Sequence, residues 1–560
     1  MNTKITFESN LNALIQESIK TNWDRAAFTD YKSTTLLYRD VARRIEKLHI
    51  LFEAAGVVPG DKIAICGKNS SNWGVSCIAA MTYGAIVVPI LHEFKADNVH
   101  NIVNHSDAKL LFAGDHVWEN LNEQSMESLQ GIILIDDFSL PVSRNQKLTE
   151  ARENLNLLFG QKYPKEFTAN DIKYVDIKPD DLAMINYTSG STGFSKGVMI
   201  PYRSLMSNQV LGYEVGEATK EMKPGDTVIS MLPMAHMYGF AFEFMHQFLW
   251  GYHVYFLTKL PSPKIIFQAF SEIKPRLIIS VPLVIEKIIK KNILPKLETP
   301  SMKLLLNLPV VNEQIRKKIC DQMYNAFGGN FFELIIGGAA FNQEIDKFLH
   351  SIHFPYTVGY GATECGPIIT YASHKEYKPG SCGKAAPNME VKILSKDPEN
   401  IPGEIICRGP NVMLGYYKND TLTEETIDKD GWMYTGDLGI MDKDGFVFIK
   451  GRSKSLIVGP SGQNIYPEEI EDHLNNMQYV SESVVISESN RLVALVFPDL
   501  DMVTKDKLTE EQLAEVMEQN RNELNSILPA YEQISVIRIR NEEFEKTPKK
   551  RIKRFLYQKE

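Results

Sequence analysis

At 560 residues the chain is too long for one hydrophobic core, and about two to four domains are expected. Apolar residues at 44% and charged residues at 23% exclude a disordered or fibrous chain, and a net charge of −9 excludes a general nucleic-acid binder. The six cysteines are scattered with no CxxC pair, the N-terminus lacks a signal-peptide pattern, and no apolar run approaches the ~18 residues of a membrane span, so a soluble cytoplasmic protein with reduced thiols is expected, peripheral membrane contact being left open.

Residues 8–55 read as two helical pieces, Asn10 to Ile19 and Tyr38 to Ala54, with an extended stretch from Asp24 to Leu37 between them. Asp61 to Gly67 is a short strand, Ser71 to Tyr83 a helix and Gly84 to Ile90 a buried strand. The alternation continues through Lys109–Phe112 and Gly131–Ile135. Strand–helix–strand order with nearly continuous apolar strands predicts an α/β fold built on a mostly parallel, doubly wound sheet. Residues 140–170 are a polar insertion with a helix.

From Thr188 to Gly197 the chain holds three glycines, five hydroxyl side chains and one lysine, flanked by the apolar runs Ala183–Ile185 and Val198–Ile200. The pattern is strand, loop, strand. Glycines let backbone N–H groups turn toward an anion, hydroxyls add donors, and Lys196 adds a point charge, which suits a polyphosphate. Ser195 precedes the lysine and the exit is a strand, so this is not a Walker A loop opening a helix. A plain Gly/Ser linker is the bland alternative.

Thr227 to Leu232 is a further strand ending at His236, which is either a hydrogen-bonded core histidine or a ligand contact at the carboxyl end of a strand. The aromatic run from Phe240 to Trp250 is either core or the lining of an apolar pocket. Leu334–Ile336 ends in Gly337, Gly338 and Ala339, which suits close approach to a flat ring or tight packing. In Tyr356–Glu364, Tyr360 could stack on a base, Thr363 could bind a phosphate and Glu364 suits Mg2+. Gly380 to Gly415 turns to short strands, Met389–Leu394 and Gly403–Gly409, with a turn at Leu414–Tyr417. Asp437, between Gly436 and Leu438, is turn-like by type. A glycine loop and a helix opening on Pro467, β-like pieces over 483–498 and a helix from Thr509 to Ile527 complete a small α+β region. The basic run Lys546–Arg554 is by default a solvated tail, with a nucleic-acid or anionic-membrane patch as the second possibility.

The glycine loop, followed in order by Tyr360-Gly361-Ala362-Thr363-Glu364 and Trp432–Gly439, resembles the adenylate-forming superfamily of AMP-dependent acyl-CoA synthetases, aryl-CoA ligases, luciferases and peptide-synthetase adenylation domains. Along nearly the whole chain it is most similar to bacterial long-chain fatty-acid–CoA ligases. The resemblance implies an AMP-binding N-terminal domain over 1–452, with a small β-barrel subdomain at about 375–450, and a mobile α+β lid over 453–560. ATP, Mg2+ and CoA are the implied small molecules, with a carboxylic acid, most of all a fatty acid, as substrate. Thr188, Ser189, Gly190, Ser191, Thr192, Gly193 and Lys196 match the phosphate loop, and Gly337, Gly338 and Ala339 the adenine site. Tyr360, Gly361 and Thr363 match further nucleotide contacts, and Glu364 the metal position. Asp437 and Arg452 match the ribose contacts, Lys454 the hinge, and His236 lies beside the acyl carboxylate.

The tail departs from the family's Thr-x-x-Gly-Lys-Ile-x-Arg. Aligned on Thr547, Ile552 and Arg554, Lys550 takes the glycine's place and Arg551 the catalytic lysine's. Arg551, Lys550 or Lys549 then carries the role, and the reading favours Lys550. With no carrier domain after the tail, a stand-alone acyl-CoA ligase is expected. The alternatives are a ligase for aryl or shorter acids, one that loads an acyl carrier protein, and an inactive nucleotide-binding homologue.

Overall fold

The computed structural model describes residues 5–189, 195–257, 263–293, 309–458, 463–488, 491–547 and 552–558. Within them the apolar runs pair into a mixed α/β architecture. The largest sheet has eight strands in the order Gly415–Tyr416, Ser195–Pro201, Leu182–Ser189, Ile86–Ile90, Lys62–Cys66, Ala108–Ala113, Gly131–Leu134, Val142–Ser143. The four pairs from Leu182–Ser189 through Gly131–Leu134 are parallel, and the outermost pair at each end is antiparallel. The helix Ser71–Thr82 is apolar on all faces and is buried at every position but Asn72, as expected of a helix sandwiched inside a domain.

Two further sheets carry the middle of the chain. One orders Thr227–Ser230, His253–Phe256, Ala26–Asp30 and Thr35–Leu37; the other orders the parallel strands Leu277–Ser280, Glu333–Ile336 and Tyr356–Val358. The run from Phe240 resolves as core. Gly239–Met245 is a π-helical turn leading into Leu249, and Phe240, Phe244 and Phe248 are fully buried. Phe28 packs on Phe248 and Phe256 with ring centroids 5.2 and 5.4 Å apart. Each such ring contributes about 1.5–3 kcal/mol by leaving water.

The expected β-barrel at 375–450 is corrected. Among the described residues the strands of this region divide among three sheets, and the longest ones form an open order, Glu390–Leu394, Gly403–Arg408, Met433–Met441, Val447–Arg452. The end strands of that order are not bonded to each other, so the sheet has two edges and does not close. Lys384–Ala385 pairs with Ile368–Tyr371, and Gly415–Tyr416 joins the eight-stranded sheet. The chain divides into two compact units. One holds residues up to Thr188, Ser195–Val391 and Cys407–Met433; the other holds Lys392–Ile406 and Tyr434 onward.

In the second unit Val480–Glu488 pairs antiparallel with Arg491–Pro498, which runs parallel to Ile534–Ile539. Side chains alternate along these strands, and both faces are covered. Val485, Ala494 and Val496 pack with Ile470, Leu474, Leu513, Met517 and Leu524 from the helices Pro467–Leu474 and Glu510–Ile527. Val484, Ile486, Val493 and Leu495 pack with Phe544, Ile552 and Tyr557 of the tail. Thr509 caps the second helix with a capping box closed by Gln512.

The described residues of the basic tail are held against the fold rather than solvated. Lys546 and Ile552 form an antiparallel bridge, and the Lys553 N–H donates to the Glu545 carbonyl at 2.8 Å. The Arg554 guanidinium donates to both oxygens of the buried Glu471, at 2.6 and 2.5 Å. Glu471 also accepts the Val485 N–H at 2.6 Å. Replacing Arg554 with Ala leaves that carboxylate buried without its partner. We expect a loss of about 3–5 kcal/mol from the stability of this unit, read as a lowered denaturant midpoint.

His253 is 9% exposed, and its Nε2 lies 2.7 Å from Thr29 Oγ1. Burial lowers its pKa from 6.5 to about 4. Below the unfolded value the unfolded chain takes up a proton that the folded chain refuses, so this contribution is intact above pH 6.5 and is lost as pH falls toward about 4. The parent's urea midpoint should drop across that window, and His253→Gln should drop less.

Candidate active site

The strands Leu182–Ser189 and Ser195–Pro201 are neighbours in the eight-stranded sheet and bring the two ends of the glycine loop together. Gly190, Ser191, Thr192 and Gly193 lie outside the described residues, as do the side chains of Ser189 and Ser195. Thr188 is half-buried on the first strand, and Lys196 is half-buried on the second. The strand beside Lys196 is packed too closely for any side chain at Gly197. A Cβ there would stand 2.9 Å from Ile185 Cγ2 and 3.1 Å from Tyr187 Cζ. Tyr187 is in turn held by its hydroxyl, 2.7 Å from His105 Nδ1.

Residues 414–417, expected as a turn, form an edge of this sheet. Gly415 pairs with Met199 and Tyr416 with Val198, and the Tyr417 N–H donates to the Gly197 carbonyl at 2.7 Å. Tyr416 is 5% exposed. Its ring centroid lies 5.4 Å from Lys196 Nζ, within cation–π range, and its hydroxyl donates to Glu364 Oε1 at 3.0 Å. Lys196 and Glu364 thus meet at one phenol. Sequence reasoning missed Tyr416, since nothing in a Gly-Tyr-Tyr turn signals its partners.

The turn carrying Glu364 is anchored from below. Tyr360–Gly361 pairs antiparallel with Ile368–Tyr371, and Thr363–Cys365 makes a single 3-10 turn between them. Only glycine fits at position 361, where a Cβ would lie 2.1 Å from the Pro367 oxygen. Tyr360 and Thr363 are each 8% exposed. From the helix Tyr202–Thr219, buried Asn208 accepts the Ile368 N–H at 3.0 Å and donates to the Cys365 carbonyl at 3.3 Å. Ser204 donates to the Asn411 carbonyl at 2.7 Å, and Asn411 donates to the Ile368 carbonyl at 2.7 Å. One helix therefore holds both the Glu364 turn and the approach to Tyr416.

Gly337, Gly338 and Ala339 leave the carboxyl end of Glu333–Ile336, beside Gly359 at the end of the parallel neighbour Tyr356–Val358. The Gly359 N–H donates to the Ile336 carbonyl at 2.9 Å. At Gly337 a Cβ would meet the Tyr238 ring at 3.2 Å, so that glycine serves tight packing, while Gly338 and Ala339 are exposed. The half-buried His236 lies on a segment whose backbone is held by three side chains. Asn69 accepts the Met234 N–H at 2.9 Å and donates to the Leu232 carbonyl at 2.6 Å. Asn186 donates to the Ala235 carbonyl at 2.9 Å. Glu243 accepts the Met231 and Leu232 N–H groups at 2.9 and 2.8 Å, and burial pushes its carboxyl well above the usual range. His236 Nδ1 accepts the Tyr238 N–H at 3.2 Å, which leaves Nε2 to carry the ring proton.

In the second unit Asp437 is a strand residue rather than a turn residue. It stands opposite Arg452 in the register, and Arg452 Nε lies 3.0 Å from its Oδ1. Asp437 is 7% exposed, while Arg452 and Lys454 are exposed. Lys549, Lys550 and Arg551 lie outside the described residues. Among the described residues no three His, Cys, Asp or Glu side chains cluster as a metal cage. Glu364, a single carboxylate beside a cation, fits Mg2+ that completes its shell with substrate phosphates.

The sequence pattern of the AMP-binding enzyme family matches residues 15–417, and that of the AMP-binding enzyme C-terminal domain matches residues 454–560. The rat protein named long-chain-fatty-acid–CoA ligase 5 is 27% identical over 82% of this chain and 71% of its own length. A Dictyostelium discoideum protein named probable 4-coumarate–CoA ligase 3 is 26% identical over 88% of this chain and 84% of its own. The crystal structure of ATP-bound MatB from Rhodopseudomonas palustris is 20% identical and superposes with a TM-score of 0.75, covering 98% of this chain and 99% of that one.

Asn208 makes its bonds to Ile368 and Cys365, and a third to the Ser204 carbonyl at 2.7 Å, in a fully buried position. Asn208→Ala strands the Ile368 N–H and should cost about 1–3 kcal/mol, read as a lowered melting temperature.

Proposed function

From the premise that this chain belongs to the AMP-binding enzyme family, we propose that it is an ATP-dependent acid–CoA ligase whose substrate is a long-chain fatty acid. The observation that carries the reading is the meeting of Lys196 and Glu364 at Tyr416, at the base of the glycine loop.

A carboxylate is a poor electrophile, and joining it to AMP makes its carbonyl open to attack. In the first step an oxygen of the acid attacks the α-phosphorus of ATP, and the bond to pyrophosphate breaks. Negative charge gathers on the phosphoryl oxygens, so catalysis is mostly positioning and electrostatics. Lys196 and the hydroxyls supplied by residues 188–195 would neutralise that charge. Mg2+ held by Glu364 and phosphate oxygens would supply further neutralisation. Gly337, Gly338, Ala339, Tyr360, Gly361 and Thr363 take the nucleotide, Asp437 the ribose hydroxyls with Arg452 orienting it, and His236 the acid's carboxylate. In the second step the CoA sulfur attacks the acyl carbonyl, the bond to AMP breaks, and the thiol proton is released. The C-terminal lid, turning at Lys454, exchanges the cations of the tail for the CoA channel between steps.

Ile552 packed on the sheet and Arg554 on Glu471 support the tail alignment, because they hold the far side of the cationic loop in register. Lys550 is assigned the catalytic role. Among the described residues no helix is long and apolar enough to cross a membrane. Action in the cytoplasm, with contact at a membrane surface where a fatty acid is collected, belongs to the same reading. A second reading, an aryl acid as substrate, is favoured by the coumarate ligase relative.

The test is pyrophosphate release with ATP, Mg2+ and a panel of short, long and aryl acids, with and without CoA. Long-chain acids should give the highest rate, and acyl-CoA should form only with CoA present. Glu364→Gln should slow adenylation at least ~100-fold. Of Lys549→Ala, Lys550→Ala and Arg551→Ala, the second should slow it most. No pyrophosphate with any acid would overturn the reading.

A further inference from the structure

Tyr416 contacts both Lys196 and Glu364, and it is itself firmly held. Its backbone is fixed in the antiparallel ladder with Ser195–Pro201. Its N–H donates to Thr423 Oγ1 at 2.9 Å, and Thr423 Oγ1 donates in turn to the Asn419 carbonyl at 2.9 Å. Gly415 before it has φ 142°, and a Cβ there would lie 2.5 Å from Thr423 Cγ2, so the strand is locked against the helix Asp420–Thr426. A phenol has only two side-chain torsions, and at 5% exposure its ring has little room to turn.

The chemistry of the two contacts differs. The ring face attracts the ammonium, and the hydroxyl donates to one oxygen of the carboxylate. Lys196 and Glu364 make no ion pair within 4.0 Å of each other among the described residues. An ion pair between the two would leave each less available to an incoming nucleotide.

We propose that Tyr416 is a positioning residue with two separable functions: its hydroxyl fixes the Glu364 carboxylate for a divalent cation, and its ring keeps Lys196 apart from that carboxylate until ATP arrives. This rests on the ligase reading for the identity of the ligand. A hydrogen-bond donor behind a metal-binding carboxylate sets its rotation and the oxygen it offers, and loss of such a partner typically weakens metal binding about 10–100-fold.

The experiment uses the full chain and two binding measurements that need no turnover. One is ATP affinity in EDTA by calorimetry; the other is Mn2+ affinity in the presence of saturating ATP, from the paramagnetic resonance signal of free Mn2+. Tyr416→Phe keeps the buried ring and should weaken Mn2+ binding ~10-fold while leaving metal-free ATP affinity unchanged. Tyr416→Leu should weaken metal-free ATP binding as well, because Lys196 can now pair with Glu364. Adding Glu364→Gln to Tyr416→Leu should restore metal-free ATP affinity, since the competing charge is gone. A merely structural tyrosine would give no such rescue. Parent-like Mn2+ affinity in Tyr416→Phe overturns the role of the hydroxyl, and absence of rescue in the double variant overturns the role of the ring. A parent chain that binds no ATP at all would instead sink the reading of the site, which keeps the two failures distinct.

Discussion

The short antiparallel ladder between Ser195–Pro201 and residues 414–417 is the constraint from which the site follows. Without it the return strand of the glycine loop would be a bare sheet edge, with unpaired backbone groups beside Lys196. With it, Tyr416 is delivered to Lys196, and the chain just before it is delivered to Glu364, whose carbonyl accepts the Met413 N–H at 2.8 Å. Residues from three distant parts of the sequence thereby share one small volume. Glycine at 197 and 415 is required for packing, because any side chain there would collide with Ile185, Tyr187 or Thr423.

Around that ladder the loops are held by buried amides more than by loop-to-loop pairing. Asn69 and Asn186 satisfy the 232–235 backbone, and Asn208 and Asn411 satisfy the turn after Glu364. A buried loop must pair its N–H and C=O groups somewhere, and an amide side chain can offer a donor and an acceptor together. Asn208 does this for the turn after Glu364, and Asn69 does so for the segment that leads to His236. Segments that the fold leaves irregular at the strand ends thus have these backbone groups paired.

The second unit uses the same economy. Its three-stranded sheet is covered by helices on one face and by described residues of the chain's own tail on the other, where Lys546 and Ile552 bridge each other. Arg554, which composition alone assigns to a solvated basic run, is drawn inside because Glu471 needs a partner there. The carboxylate and the guanidinium are each tolerable in the interior only because of the other.

The sequence by itself determined the α/β class, the alternation of apolar strands and helices, the glycine loop with its lysine, and the Tyr-Gly-x-Thr-Glu turn. All of these are written in local periodicity or in consecutive residues of distinctive chemistry. The helix read from Thr509 to Ile527 was legible for the same reason, and the structure starts it one residue later with Thr509 as its cap. Tertiary structure alone decided that the strands of 375–450 stay open and divide among sheets, that the aromatic run from Phe240 is core, that Asp437 faces Arg452 across a ladder, and that Tyr416 joins Lys196 to Glu364. Sheet order, burial and cross-strand register depend on partners far away along the chain, and no local pattern encodes which distant strand will arrive at an edge.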